Sequence, residues 1–275
     1  MTNIQTFVFF DLETTGIPAS RTKVTEITLI SVSRRDIEQA DGENLPATNK
    51  LSLLCNPTTN IHPVASSLTG LTNHYLKNQP VFKDNIKCIN AFLNKPKPVC
   101  LVAHNGNRFD FKILQAEYQT ANEELPHDLL CIDSLNSFRS IFKNPNFCLN
   151  TTVHNYSTSS LDESDKLARN DEWQDLSIEE IQEIDELVVY FSHISSTPKK
   201  IKIVKKICEM QCPKKEKSLK ASYKLSSVYE KLLNKKPKEC HRAEVDCFML
   251  LECVIATKYD FLSYADCKCK LISQV

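Results

Sequence analysis

The first half of the chain alternates between short apolar runs and amphipathic segments. Residues 5–10 are apolar, aromatic and β-branched and end at an aspartate, which is typical of a buried strand. Further strand patterns lie at 26–33, 50–55, 98–103 and 129–132. Apolar residues recur at helical spacing over 82–93, 107–118, 225–233 and 241–259. Strands that come first together and then alternate with helices predict an α/β fold with a mixed five-stranded sheet flanked by helices.

The charge pattern changes after residue 142. Residues 162–186 are strongly acidic, residues 199–220 are rich in lysine, and a capping box at Ser177 and Glu180 predicts a helix between them. The predicted organisation is a first core part over 1–142, a charged and partly helical insertion over 143–221, helices that complete the core over 222–266, and a tail over 267–275. The charge blocks are expected to pair with each other. The alternative is that lysines such as Lys214 contact a polyanion.

Composition narrows the class of protein. Of 275 residues, 41% are hydrophobic and 25% are charged, as in ordinary globular proteins, and no apolar run is long enough to span a membrane. The 34 basic and 34 acidic residues balance, so attraction for phosphate must come from a local patch or from bound metal ions. No secretory signal is recognisable. Scattered cysteines predict reduced, buried thiols in a cytoplasmic or nuclear protein; those in apolar runs include Cys88, Cys100, Cys131 and Cys253.

Three segments place carboxylates at the ends of predicted elements. Asp11 and Glu13 lie two residues apart at the end of the first strand, which puts them on one face about 7 Å apart. Two carboxylates in this arrangement can bind one hard cation. Asp110 falls in the first turn of a predicted helix, and His241 and Asp246 open the last long one. Each segment alone also fits a solvated strand end or the usual charge at a helix N-terminus.

Taken in order, these segments resemble the signature of the DEDDh exonucleases, which reads Asp-x-Glu, Asn-x-x-x-x-Asp and His-x-Ala-x-x-Asp. The chain is similar to the three-prime repair exonuclease (TREX) type in the stretches FFDLETTGIP at 9–18, SLTGL at 67–71, LVAHNGNRFDF at 101–111 and HRAEVD at 241–246. The resemblance covers 1–142 and 222–262 but not the insertion. It implies an RNase H-like fold and a metal-dependent 3′–5′ exonuclease that releases nucleoside monophosphates from DNA 3′ ends, with single strands preferred and frayed or mismatched duplex ends also accepted.

The same resemblance implies roles for the acidic residues and the histidine. Two Mg²⁺ ions, for which Mn²⁺ can substitute, are held by four carboxylates, and Asp11 bridges the two ions. Glu13 and Asp246 complete the site of the ion that holds the attacking water, and Asp110 supports the second ion. His241 is the implied general base, since imidazole titrates near neutral pH.

The resemblance further implies how a DNA 3′ end is bound. The expected substrate-binding residues are Thr14, Thr15, Ile17, Leu68, Asn105, Arg108 and Phe109. Ile17 and Leu68 are candidates to wedge between the last two bases, and such apolar contacts accept any base. The alternative is that both are core residues. Arg108 would contact a phosphate, and the alternative for it is a solvated helix charge.

Two further implications concern partners and competing functions. TREX-type relatives pair through an edge strand, and residues 50–55 are the candidate edge for a homodimer. A DEDDh exoribonuclease or a proofreading-type exonuclease shares all five site residues and is the alternative among enzymes. The alternative of another class is an inactive nucleic-acid-binding or interaction protein that uses the insertion.

Overall fold

The computed structural model describes residues 2–16, 19, 21–42, 44–143, 222–237 and 242–275. Its centre is a mixed six-stranded sheet with the order β3-β2-β1-β4-β5-β6. The strands are β1 (Thr6–Thr14), β2 (Val24–Ser33), β3 (Asn49–Leu54), β4 (Val99–Ala103), β5 (Leu130–Asp133) and β6 (Lys270–Leu271). β1 pairs antiparallel with β2 and parallel with β4, so that it occupies the middle of the sheet.

Helices of the described residues lie on the two faces of this sheet. They are α1 (Arg34–Gln39), α2 (Pro63–Thr69), α3 (Asn73–Leu76), α4 (Phe82–Leu93), α5 (Asp110–Ala121), α6 (Ser134–Lys143), α7 (Leu225–Leu233), α8 (Ala243–Ala256) and α9 (Lys258–Lys268). The predicted α/β fold and its five strands are confirmed, and the helices predicted at 82–93 and 225–233 have the predicted bounds.

The structure differs from the sequence-based expectation in several elements. The helices α1, α2, α3 and α6 were not predicted, and the helix predicted over 107–118 is α5 at Asp110–Ala121. The sheet has a sixth strand, β6, which pairs with β5 through two residues and is too short to produce a hydrophobic period. The single helix predicted over 241–259 ends at Ala256, and a second helix begins at Lys258. Apolar residues continue across this junction, so periodicity does not reveal the break at Thr257.

Alternate residues of β1 contribute to two separate cores. Phe7 and Phe9 pack in the core formed with α6–α9, where Cys247 and Met249 of α8 are buried. Val8 and Phe10 pack in the core formed with α4 and α5. Because side chains alternate between faces with a period of two, Asp11 and Glu13 continue the row of Phe7 and Phe9 and face the α8 side.

The described residues bear on the expectations for the cysteines, for membrane spans and for the insertion. All eight of their cysteines are free thiols, and five are buried. Cys88 is exposed rather than buried as expected, because it lies on the outer side of α4. Among the helices of the described ranges, none combines the length and the apolar character that crossing a bilayer requires. The insertion at 143–221 falls outside the described residues except for Lys143, and its boundaries stay a prediction.

Candidate active site

Three carboxylates meet where β1 ends beside the first turn of α8. Asp11, Glu13 and Asp246 each offer a carboxylate oxygen, and these oxygens all lie within 4.8 Å of one another. Two of the residues share one face of β1, and the third is on the helix that packs against β1 and β2. The structure therefore brings together residues that are more than 230 positions apart in the sequence.

The fourth predicted carboxylate, that of Asp110, is on the helix that follows β4. Asp110 is the first residue of α5 and is buried. Its carboxylate accepts hydrogen bonds from the backbone N–H groups of Asp110 itself and of Leu12, which fix it against β1. Among neighbouring charges, Asp110 contributes most to the raised pKa of Asp11. The four acidic residues thus form one electrostatic cluster.

A tight turn between β4 and α5 brings Asp110 into this position. The backbone N–H groups of Asn105 and Asn107 donate to the carboxylate oxygens of buried Asp133, at 2.9 and 3.1 Å. Asn105 has a φ of 65°, a conformation that asparagine tolerates better than most residues. A Cβ on Gly106 would lie 2.7 Å from the Phe111 ring and 2.8 Å from the Ala103 side chain, so only glycine fits there.

Sequence reasoning missed two acidic residues that shape the site. Asp133 holds the β4–α5 turn. The sequence signal for it was its position directly after the predicted strand at 129–132. Glu26 lies opposite Glu13 in the β1–β2 ladder and is only 2% exposed. It begins the predicted strand at 26–33, where an acidic residue on a buried face was the available signal.

Burial and mutual repulsion make this cluster electrostatically unfavourable without a cation. Burial, followed by the charges of Asp110, Asp246 and Glu13, raises the pKa of Asp11 well above its ordinary value. Burial and the charge of Asp246 raise the pKa of Glu13 to about 8, although the Arg242 guanidinium lowers it in part. Burial raises the pKa of Asp110 to about 7. Closely spaced carboxylate oxygens fit hard divalent cations, which would relieve this repulsion.

The predicted substrate-binding residues that the structure describes lie in different environments. Leu68 on α2 is 52% exposed, Arg108 is exposed, and Phe109 is half-buried against the core that contains α4 and α5. Thr15 is buried, and its hydroxyl is engaged by the Thr22 hydroxyl and by a backbone N–H, so that its side chain holds the loop after β1 together.

The end of β1 is connected directly to the helix that carries Leu68. The backbone N–H of His62, the N-cap residue of α2, donates to the Thr15 carbonyl at 2.8 Å. The Thr14 hydroxyl hydrogen-bonds the Gly16 carbonyl at 3.1 Å. Ile17 and His241 lie outside the described residues, and their predicted roles stay predictions.

His104, which directly follows β4, has a structural role. The Nδ1 atom of His104 lies 2.9 Å from the Ser134 hydroxyl, and its Nε2 atom lies 2.8 Å from the Tyr223 carbonyl. A carbonyl can only accept, so Nε2 carries the proton and Nδ1 accepts from the serine. Burial lowers the pKa of His104 to about 4. His104 therefore stays neutral at physiological pH and anchors residue 223 to the core.

The fold and the acidic cluster together define a nuclease of the RNase H-like class. Residues 8–163 match the Exonuclease family model (RNase_T), which is more than half of the chain. The chain therefore belongs to the exonuclease family, and its resemblance to the TREX type is borne out. Members of this family depend on divalent metal ions.

Particular relatives support the same placement. Three-prime repair exonuclease 1 of Homo sapiens is 38% identical over 152 residues, which cover 50% of this chain and 48% of that protein. Three prime repair exonuclease 2 of Mus musculus is 35% identical over 147 residues, which cover 50% of this chain and 62% of that protein. The chain spans about half to three-fifths of the length of these relatives.

Solved structures agree on the fold. E. coli exonuclease I in complex with a dT13 oligonucleotide superposes with a TM-score of 0.55 over 92% of this chain and 41% of that chain. The two sequences are 15% identical. At this identity the likeness concerns the fold alone.

Proposed function

We propose that the protein is a metal-dependent exonuclease that removes nucleoside monophosphates one at a time from the 3′ ends of DNA. Single strands are the preferred substrate, and frayed or mismatched duplex ends are also accepted. The observation that carries this proposal is the convergence of Asp11, Glu13 and Asp246 within 4.8 Å, beside buried Asp110, in a chain of the exonuclease family. The identity to three-prime repair exonucleases favours DNA over RNA as the substrate.

The four carboxylates are arranged to hold two divalent cations. The carboxylates of Glu13 and Asp246 lie within 4.8 Å of that of Asp11, and Asp110 is the neighbouring charge that most raises the pKa of Asp11, so Asp11 would contribute to holding both ions. Two Mg²⁺ ions bound there would lower the pKa of the attacking water and neutralise charge on the phosphate that is being cleaved. His241 would act as the general base that takes a proton from that water, and it would contribute about 10²–10⁴-fold to the rate.

The exposed apolar surface beside the cluster supports binding of a 3′ end. Among the described residues, the large hydrophobic side chains that are most exposed include Val64, Leu68 and Tyr75, all on α2 or α3. The N-terminus of α2 is bonded to the Thr15 carbonyl next to the carboxylates. Apolar side chains in this place can stack on bases without sequence preference.

Leu68→Ala is expected to weaken DNA binding without affecting the chemical step. The KM for a single-stranded oligomer should rise about fivefold, the equivalent of roughly 1 kcal/mol of lost base contact, and kcat should stay the same. Tyr259→Ala is the matched control, since Tyr259 is 64% exposed but lies on α9 beside Lys258. Equal KM values for the two variants would exclude Leu68 from the binding surface.

The activity itself is tested with 5′-labelled DNA and RNA oligomers of the same sequence. With Mg²⁺ present, we expect a ladder of products shortened from the 3′ end of DNA, slower cleavage of RNA, and no cleavage in EDTA. Faster cleavage of RNA would instead favour the exoribonuclease alternative. DNA that stays intact with both Mg²⁺ and Mn²⁺ would contradict the proposed function.

The sheet offers an edge for the proposed homodimer. β3 is the outermost strand on one side, so its outer backbone groups have no partner strand in the described part of the chain. Two copies related by two-fold symmetry would satisfy these groups by pairing β3 with β3. Light scattering after size exclusion at micromolar concentration should give twice the chain mass of 31.4 kDa. A mass of one chain would rule the dimer out.

The free thiols of the described residues support a site of action in a reducing compartment, the cytoplasm or the nucleus.

A further inference from the structure

An ion pair between the buried Glu26 carboxylate and the half-exposed Arg242 guanidinium lies close enough to Glu13 for both charges to shift its pKa. Arg242 donates to Glu26 through Nε at 2.9 Å and through Nη2 at 2.8 Å, one bond to each carboxylate oxygen. Glu26 is only 2% exposed. A buried carboxylate beside other carboxylates is costly unless a cation with a matching geometry pairs with it. The planar guanidinium of Arg242 provides that match.

The same pair builds the start of α8. Arg242 is the N-cap residue, and its side chain makes no capping hydrogen bond. Instead the Oε2 atom of Glu26 lies 3.4 Å from the backbone N–H of Ala243, so the strand residue partly caps the helix from outside. A carboxylate at this end also interacts favourably with the helix dipole. Glu26 therefore supplies the capping hydrogen bond that the Arg242 side chain does not make.

The backbone of Arg242, the N-cap residue, in turn holds Asp246, the candidate metal ligand of α8. The Arg242 carbonyl accepts the backbone N–H of Asp246 at 3.2 Å and that of Val245 at 2.9 Å. On the other side, Glu26 is the ladder partner of Glu13 in β1. A continuous path of backbone pairing, ion pair and helix turn thus connects Glu13 to Asp246.

We infer that the Glu26–Arg242 pair is the positioning device of the site: it sets the distance between Asp246 and the two carboxylates of β1. Without the pair, the first turn of α8 would lose its ion pair with β2 and the hydrogen bond from Ala243 to Glu26. Asp246 would then no longer be held within 4.8 Å of Asp11 and Glu13. The inference rests on the proposed function only where activity is measured, since Mn²⁺ affinity is measured without a nucleic-acid substrate.

The test removes the pair while the net charge of the protein stays constant. In Glu26→Gln with Arg242→Met, one negative and one positive charge are lost together, so a change in cation affinity reflects position and not charge. The matched control is Asp266→Asn with Arg34→Met. That pair is also bidentate, with bonds of 3.0 and 2.9 Å, but it joins α1 to α9.

Three quantities are measured for the parent and both double variants: Mn²⁺ affinity by calorimetry, kcat and KM on a single-stranded oligomer, and the melting temperature without metal. Removing a partner that orients a metal ligand typically costs about 10–100-fold in metal affinity or activity. For the Glu26–Arg242 double variant we expect a loss of that size in Mn²⁺ affinity and in kcat. The control double variant should have a lower melting temperature but keep the parental Mn²⁺ affinity and kcat.

The single variant Arg242→Gln separates positioning from charge a second time. It leaves the Glu26 charge uncompensated near the site, so electrostatics alone would make cation binding tighter, whereas loss of positioning makes it weaker. Mn²⁺ affinity within twofold of the parent in the charge-neutral double variant, with a fall in melting temperature like that of the control, would overturn the inference. A parent that binds Mn²⁺ but degrades no nucleic acid would reject the exonuclease proposal, and the calorimetry would still decide the positioning role.

Discussion

Asp246→Asn is expected to abolish nuclease activity while binding of single-stranded DNA stays measurable. Asp246 contributes one of the three carboxylates that lie within 4.8 Å of one another, and asparagine keeps its size but not its charge. Bound metal ions contribute several kcal/mol to transition-state stabilisation. Since each 1.36 kcal/mol is a factor of ten, we expect kcat to fall by at least about 10³-fold.

DNA binding should survive because the proposed base contacts lie elsewhere. Leu68 is on α2, and Arg108 and Phe109 are on the β4–α5 turn, whereas Asp246 is on α8. Initial rates on a 5′-labelled oligomer measure the loss, and fluorescence anisotropy measures the remaining affinity. Both are compared with the parent at the same Mg²⁺ concentration.

The first turn of α8 also contains the control for this substitution. Glu244 forms an ion pair with Lys50 at 2.6 Å, and both side chains are exposed. Glu244→Gln changes the same charge two residues away and should keep kcat within about twofold, since exposed ion pairs contribute little. More than a tenth of the parental activity in Asp246→Asn would show that the catalytic centre lies elsewhere.

The second large effect is a loss of stability with rising pH that appears only without metal. The pKa of Glu13 is raised to about 8 and that of Asp110 to about 7, and Asp11 is shifted in the same direction. In the unfolded chain, these carboxyls release their protons near pH 4. Between that pH and about 8, the folded state therefore binds more protons than the unfolded state. The free energy of unfolding consequently falls as pH rises through this window.

The measurement is the melting temperature in EDTA at pH 6.5 and pH 8. The pKa of His104 is lowered to about 4, so this residue makes the free energy of unfolding rise with pH. That contribution falls mainly below pH 6.5, outside the measured interval. One proton retained by the folded state costs about 1.4 kcal/mol per pH unit, and 1 kcal/mol shifts the melting temperature of a domain of this size by about 2–4 °C. We expect a fall of at least about 4 °C for each retained proton.

Metal and a single substitution should each reverse this effect. Mg²⁺ binds the folded state and replaces the protons, so in excess Mg²⁺ the melting temperature at pH 8 should rise and its pH dependence should flatten. Glu13→Gln removes one of the repelling charges and should stabilise the metal-free protein at pH 8, whereas Glu244→Gln should not. A melting temperature in EDTA that stays level or rises from pH 6.5 to 8 would contradict the account of the cluster.

Much of the fold was predictable because its signals are local. The apolar run before Asp11 and the helical spacing at 82–93 depend on residues within one element, and both elements form as expected. The order of Asp-x-Glu, the later aspartate and the final His-x-Ala-x-x-Asp also lies in the sequence as printed. The motif identified the family and named the four carboxylates before any geometry was known.

The sequence by itself therefore determined the α/β class, most elements and the four carboxylates of the proposed metal site. Only the tertiary structure decided how these residues are held. Glu26 and Arg242 are separated by 216 positions, Glu26 lies outside the motif, and Arg242 occupies only a variable position of His-x-Ala-x-x-Asp, so their pairing appears only when β2 and α8 pack together. The same is true of Asp133, whose carboxylate bonds a turn 26 to 28 positions away. Local periodicity reports which face of an element is buried, but which distant partner satisfies a buried charge is set by the packing of the whole chain.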